Sequence, residues 1–418
     1  MISKLLLSLL FISSIILGQS NDLNIIPTRI ILNITDKPAT SFAVTWRTKE
    51  KTNKPEIQFA RATDWKEFED SLIIAEVKIE KFVSDKFEKF YCYSGFMKEL
   101  VANTEYVYRV GGDSIWSEWN QFKTGKGEKE PFKFIYFGDP QNENKNYVSR
   151  LFRKAFSTEP DADFWLFAGD LISLPYDNQY EEFFFAGSFM FRSIPMVMAP
   201  GNHDRAFLKK DGKFVLNKKG AKIRTNKIAN IWKTSFTLPE NGLPGFEETS
   251  YYFDYQGAKF IVINSNNPEK LQEQADWMDN ILENNSTKWV IVCFHHPIYS
   301  AGRDRNDYKT REAFMPVFDK HGVDLVLTGH DHAYARSFKI KKGLRVKNNE
   351  KGTVYVVSVS GPKMYSVNER TDSLMAKVGG NTQLFQIIEI ENNQLVYNSY
   401  TVTGKLFDSF ILDKNIKE

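Results

Sequence analysis

From residue 132 onward the chain repeats one pattern. A short run apolar on both faces gives way to polar residues, and an amphipathic stretch follows. The runs are "FKFIYF", "DFWLFA", "IPMVMA", "AKFIVIN", "KWVIVCF", "VDLVLT" and "TVYVVSVS". Helical spacing predicts helices over 147–157, 179–191, 268–283 and 309–321. Strands buried on both faces and separated by helices predict an α/β sheet covered on both sides. Before residue 125 the pattern differs. "SFAVTWRT", "EIQFARA", "EYVYRVGG" and "NQFKT" alternate apolar and polar positions between turn residues, as a small all-β sandwich requires. "KTGKGEKEP" is charged and rich in helix and strand breakers, so it reads as a connection. The tail from Leu384 predicts antiparallel strands turning at Asn392–Asn393 and at Gly404. The aromatic stretch "EEFFFAGSFMF" has helical spacing and is assigned to the core.

Composition adds bounds. At 418 residues the chain is too long for one ordinary core and is expected to be multidomain. The divisions expected are a leader over 1–19, a β-sandwich over 20–124, a linker over 125–131 and a larger α/β domain over 132–418. A net charge of +3 gives no case for a nucleic-acid partner or a polybasic membrane surface. "MISKLLLSLLFISSIILGQS" has an early lysine, a short apolar run and then small polar residues, the pattern of a secretory signal peptide. The run is short for a bilayer and no second one occurs. The expectation is therefore a secreted, periplasmic or extracellular protein without a transmembrane segment. Of the two cysteines, Cys293 lies within an apolar strand and reads as a core residue, and a Cys92–Cys293 bridge is not expected.

The chemistry lies where the apolar runs stop. "FIYF" is followed by Gly138-Asp139-Pro140-Gln141, and "FWLFA" by Gly169-Asp170. "PMVMA" is followed by Pro200-Gly201-Asn202-His203-Asp204, "VIVCF" by His295-His296 and "DLVLT" by Gly329-His330-Asp331-His332. Ligands bind at the carboxyl ends of strands in open α/β sheets. Each cluster alone would pass for a turn or a cap. However, five of the six histidines fall in these clusters, and His321 is the exception. Carboxylate, amide and imidazole donors together suit zinc, iron or manganese. The donors outnumber the places on one tetrahedral ion. Two ions about 3.5–4 Å apart, sharing an Asp, accommodate them and lower the pKa of a water between them.

The order Asp…GlyAsp…GlyAsnHis…His…GlyHisXHis resembles the calcineurin-like metallophosphoesterase superfamily. With the preceding β-sandwich, "GNHD", "VCFHHP", "GHDHAYAR" and "GTVYVVSVSGPKMY" are most similar to its purple acid phosphatase branch. The resemblance covers nearly the whole chain after the leader. It implies a fibronectin-type-III-like N-terminal domain, an α/β metallophosphoesterase domain built as a β-sheet sandwich flanked by helices, and two metal ions. One ion would be held by Asp139, Asp170 and His332, the other by Asp170, Asn202, His295 and His330. It implies that His203 contacts the substrate phosphate or protonates the leaving oxygen. The sequence also departs from the branch. Ser173 stands where a tyrosine normally colours an iron(III) centre, which leaves zinc, manganese or iron(II) as the alternatives. Gln141 stands where other superfamily members place a metal-binding histidine, and its amide oxygen is expected to face the metal there, as ligand or as partner of a bound water. Ala335 replaces a frequent glutamate.

The function expected is hydrolysis of small phosphate monoesters by metal-bound hydroxide, as in an acid phosphatase. A phosphodiesterase or nucleotide hydrolase would use the same site, and a non-catalytic phosphate-ester binding surface protein is the alternative of another class. His296, Arg303 and Arg305 follow the metal-binding His295 closely enough to reach substrate. The competing readings are a packed neighbour for His296 and solvated loop residues for the two arginines.

Overall fold

The computed structural model describes residues 23–126, 130–302, 305–367 and 374–415. The expected leader, part of the linker and Arg303 lie outside the described residues. Among the described residues no helix is long and apolar enough to cross a membrane.

The apolar runs form two sheets that face each other. Strands Phe132–Phe137, Phe164–Ala168 and Met196–Ala199 are parallel neighbours in the first. The tail strands Leu384–Glu391, Gln394–Thr401 and Leu406–Asp413 extend it on one side, antiparallel as expected. The second sheet has seven strands, with Ala258–Ile263, Trp289–Phe294, Leu325–Thr328 and Val354–Val357 as its parallel centre.

Alternation explains the layering. In Phe132–Phe137, Phe134 points inward and meets Phe164 and, across the gap, Phe260, with ring centroids 5.1 and 5.2 Å apart. Phe137 points outward and meets Phe152 of helix Ser149–Thr158 at 5.0 Å. On the far face of the second sheet, Phe294 packs on Phe314 of helix Tyr308–His321. The result is a helix–sheet–sheet–helix stack, in which each buried aromatic contributes about 2–3 kcal/mol of apolar burial. Cys92 and Cys293 are both buried and unbridged.

The N-terminal region is all-β and precedes the α/β region, the expected fold class. One of its sheets is not free-standing, however. Strand Thr28–Asn33 runs parallel to Met196–Ala199, with Asn33 opposite Met196 and the Ile34 amide donating to the Met196 carbonyl at 3.1 Å. One ten-stranded sheet thus passes through both regions. Arg29 and Arg47 on its N-terminal strands reinforce the junction by pairing with Asp177 at 3.0 and 2.5 Å, at the start of helix Asp177–Gly187.

Two expectations need correction. The helix over 179–191 is two helices, Asp177–Gly187 and Met190–Ser193, broken at Ser188, where φ is 47°. The break lets Phe191 fold back on Phe183, with centroids 4.9 Å apart. The aromatic stretch is also only partly core. Phe183, Phe184 and Phe191 are buried, whereas Phe185 and Phe189 are half exposed, because the three consecutive phenylalanines from Phe183 to Phe185 cannot all face one side of a helix.

Candidate metal centre

The polar clusters converge because the backbone turns sharply at each strand end. Asp139, Asp170, His330 and His332 all have positive φ, at 43°, 50°, 76° and 48°. Left-handed backbone is costly for non-glycine residues and persists where the surroundings over-determine it, commonly at functional sites. Each turn carries its side chain from the strand direction to the rim. The turns also pack against one another. A Cβ on Gly201 would lie 2.2 Å from both the amide nitrogen and Oδ1 of Asp170, and one on Gly329 would lie 2.6 Å from Asp139 Oδ2. Glycine at these positions admits the neighbouring carboxylate.

Two groups of potential ligands result, and they share a member. Asp139, Asp170 and His332 form one, and Asp170, His295 and His330 the other, with ligand atoms in each group within 4.8 Å. Asn202 joins the second group, its Oδ1 being 3.1 Å from His295 Nε2. His295 Nδ1–H donates to the Ala168 carbonyl at 2.9 Å, and His332 Nδ1–H to the Lys363 carbonyl at 3.0 Å. Those bonds orient the rings and turn both Nε2 atoms into the site, as metal-binding imidazoles require.

The donor set fits cations. Asp139, Asp170, Asp204 and Asp331 are all buried, and Asp139 Oδ1 has no hydrogen-bond partner. Burial, together with the nearby Asp170 carboxylate, pushes Asp139 far above the usual carboxylate range and Asp204 up to about 8. Burial also opposes the charge on Asp170, but the His295 imidazole outweighs it and holds Asp170 below its ordinary value. Burial lowers His295 as well, but Asp170 outweighs it and lifts the imidazole to about 9. Burial and like neighbours hold His330 well below its ordinary value, and burial with the Lys363 charge holds His332 down at about 3. A dry pocket that crowds four buried carboxylates together and keeps His330 and His332 neutral is compensated by positive ions.

Gln141 is buried and does turn into the cluster, but with its other end foremost. Its Nε2 lies 3.0 Å from Asp170 Oδ2 and 2.9 Å from His332 Nε2, while Oε1 is buried and unpaired. The expectation that the oxygen faces this position is corrected, for a simple reason. A carboxylate and an imidazole lone pair both call for a donor.

The remaining site residues separate. His203 is at the cluster. Its backbone N–H donates to Asp170 Oδ1 at 2.7 Å, and its Nδ1–H donates to the Ser173 carbonyl at 2.5 Å. Its Nε2 then faces Asp170 Oδ2 at 3.9 Å. Ser173 therefore orients His203 through its main chain, and its hydroxyl has no partner. Tyr176 turns away, with its hydroxyl on Lys222. His296 packs against the imidazoles of His330 and His295, with centroids 4.6 and 5.1 Å away, and its Nδ1 meets Ser265 Oγ at 2.8 Å. That is the packed-neighbour arrangement. Arg305 reaches the rim, donating to the His330 carbonyl at 3.1 Å, with its Nε 3.9 Å from Asp331 Oδ1. Ala335 is buried in the second sheet opposite Val357.

Sequence reading missed three contacts. Arg224 donates to the His203 and Arg205 carbonyls at 2.7 and 3.0 Å and to the Ser173 carbonyl at 3.0 Å. Lys363 supplies the carbonyl that orients His332, and the Tyr365 ring lies 4.9 Å from that imidazole. Arg224 lies in a basic run that could have been flagged, whereas a main-chain carbonyl leaves no trace in sequence.

Two facing sheets with carboxylate, amide and imidazole donors gathered at one rim have the architecture of the metallophosphoesterase fold. Comparison with known proteins agrees. Residues 132–334 match the calcineurin-like phosphoesterase family, and residues 27–124 match the purple acid phosphatase N-terminal domain. The chain belongs to the purple acid phosphatase-like branch of the calcineurin-like metallophosphoesterase superfamily. It is similar to human acid phosphatase type 7, with 25% identity over 300 residues that cover 65% of this chain and 64% of that protein. It is also similar to the purple acid phosphatase of Glycine max, with 23% identity covering 80% and 72%, and to a probable inactive purple acid phosphatase 24 of Arabidopsis thaliana, with 23% identity covering 78% and 58%. The chain spans about three fifths of the length of the first curated relatives it matches. Among solved structures, purple acid phosphatase PPD1 from yellow lupin superposes with a TM-score of 0.78 at 19% identity, covering 93% of this chain and 74% of that one.

Proposed function

We propose that this protein is an exported hydrolase of small phosphate monoesters that works with two metal ions. The observation that carries the reading is the shared carboxylate. Asp170 belongs to both ligand groups, as a bridge between two ions requires. Asp139 and His332 would complete one position, with the Gln141 amide beside it, and Asn202, His295 and His330 the other. Bound there, the ions would supply Lewis acidity toward phosphoryl oxygens and acidify water near neutral pH.

The chain's own residues supply the rest. With Nδ1–H committed to the Ser173 carbonyl, His203 presents Nε2 toward the bridging carboxylate. There, once protonated at Nε2, it would contact the substrate phosphate and pass that proton to the leaving oxygen, returning to the neutral ring. Arg305, already on the rim, would steady the phosphate's free oxygens. His296 would act through His295 and His330 as a positioning residue. Export rests on the leader alone.

The test is hydrolysis of p-nitrophenyl phosphate and of bis-p-nitrophenyl phosphate by the purified, metal-loaded chain. The monoester is expected to react faster, and Asp170→Ala to lose turnover. Full activity in Asp170→Ala, or faster turnover of the diester, would overturn the reading. Ser173 in place of a tyrosine, and a relative named as probably inactive, favour one competitor, a non-catalytic phosphate-ester binder. Absence of bound metal and of turnover on both substrates would establish that alternative.

A further inference from the structure

Directly after Asp204 the chain leaves the rim and builds a flap. Strand Arg205–Phe207 pairs with Arg224–Ile228, and beyond them Lys209–Lys210 pairs with Lys213–Phe214 across a tight turn. Asp211 and Gly212 take that turn with φ of 51° and 77°. Between Arg205 and Lys227 the flap carries nine Lys and Arg residues against a single acid, Asp211. The whole chain has 55 Lys and Arg against 52 Asp and Glu, a net charge of +3. The flap's excess is larger than that of the whole molecule, so the remainder is net acidic.

The charge is graded from the metal centre outward. At the base, Arg205 donates to the Asn202 carbonyl at 3.3 Å and Arg224 holds the His203 and Ser173 carbonyls. One step out, the Lys222 ammonium lies over the rings of Tyr176, Phe207 and Phe214, 5.1, 5.4 and 4.0 Å from their centroids. These rings also contact one another, at 5.9 Å for Tyr176–Phe207 and 5.7 Å for Phe207–Phe214. The ammonium is thus held at a fixed place on the flap, two residues from Arg224. At the tip, Lys209, Lys210, Lys213, Lys218 and Lys219 are exposed, and Asp211 is the only acid among them.

We propose that this flap is an anion-binding surface adjoining the metal centre, and that it selects small soluble substrates carrying further phosphate groups beside the one that reacts. The proposal rests on reading the rim as a phosphoesterase site. The reacting group would bind at the rim, and the others would lie along Lys222 and the tip lysines. Many cations lining one approach raise the local concentration of a polyanion and make its binding steeply salt-dependent. A simple monoester has nothing to place there.

The test uses two probes that cannot be hydrolysed, methylphosphonate and methylenediphosphonate, titrated calorimetrically into the metal-loaded full chain. Wild type is expected to bind the diphosphonate at least about tenfold more tightly, and this advantage should shrink with added salt. Lys209→Glu/Lys210→Glu/Lys213→Glu combined with Lys222→Met is expected to lose most of that advantage while methylphosphonate binds within about twofold of wild type. An unchanged advantage, or equal loss for both probes, would overturn the flap's role. Binding of anionic vesicles or duplex DNA more tightly than the diphosphonate would also overturn it, since the flap would then serve a macromolecule. Circular dichroism and metal content of the variant exclude misfolding as the cause. Absence of turnover on every phosphate ester would defeat the reading of the rim, while the binding comparison would still decide the flap.

Discussion

The rim and the flap are adjacent in sequence, separated only at Asp204 and Arg205, yet they are built on opposite principles. The rim is buried, rich in carboxylates and held by left-handed backbone whose neighbours leave no room for a methyl group. The flap is exposed, rich in lysine and held by short hairpin pairings and Arg224. A site that must fix metal ligands tolerates strain and crowding because the surrounding sheets over-determine it. A surface that gathers anions needs only charge and a rough position, so it spends little of the fold's stability.

The sharpest way to break that contrast is at the shared ligand. Asp170→Ala is expected to reduce phosphomonoester turnover at least about a thousandfold, measured as kcat/KM on p-nitrophenyl phosphate. Glycine substitutions give the next largest effects and compare the regions directly. Gly201→Ala drives a Cβ to 2.2 Å from Asp170 and is expected to cost about 3 kcal/mol in urea unfolding. Gly212→Ala meets nothing within 4 Å, so only its positive φ counts, and about 1 kcal/mol is expected. Equal costs would contradict the contrast.

Arg224 is the seam between the two regions. Arg224→Ala is expected to lower kcat about tenfold while leaving metal content unchanged, because the His203 and Ser173 carbonyls lose their shared donor. Arg224→Lys should rescue it poorly, since one ammonium cannot reproduce the planar fork. A fall in metal content would instead make Arg224 part of the rim's structural frame. The smallest effect belongs to the tip. Lys218→Ala/Lys219→Ala should change the melting temperature by less than about 2 °C.

Much of this was legible in sequence, and the reason is chemical. Metal ligation restricts residue types, so Asp139, Asp170, Asn202, His295, His330 and His332 stand out at the ends of apolar runs, and the structure gathers all six. The strands themselves and the antiparallel tail follow from periodicity in the same way, whereas the division of the apolar runs between two facing sheets does not. What escaped were features without a residue signature. The continuous sheet through Thr28–Asn33 and Met196–Ala199 depends on a pairing across more than a hundred residues. The orientation of the Gln141 amide depends on which neighbours accept hydrogen bonds. The orientation of His203 depends on a main-chain carbonyl at Ser173, a position that sequence reading weighed only for its side chain. The flap's lysines were visible throughout. They were averaged into a net charge that concealed their concentration at one place.

The central claim is that Asp170 joins two metal positions into one site. Metal content per chain, measured by plasma mass spectrometry on protein loaded with zinc or manganese and then desalted, tests it most directly. The account predicts two ions per chain in wild type and none retained in Asp170→Ala. A single ion in wild type, or two ions in Asp170→Ala, would contradict it.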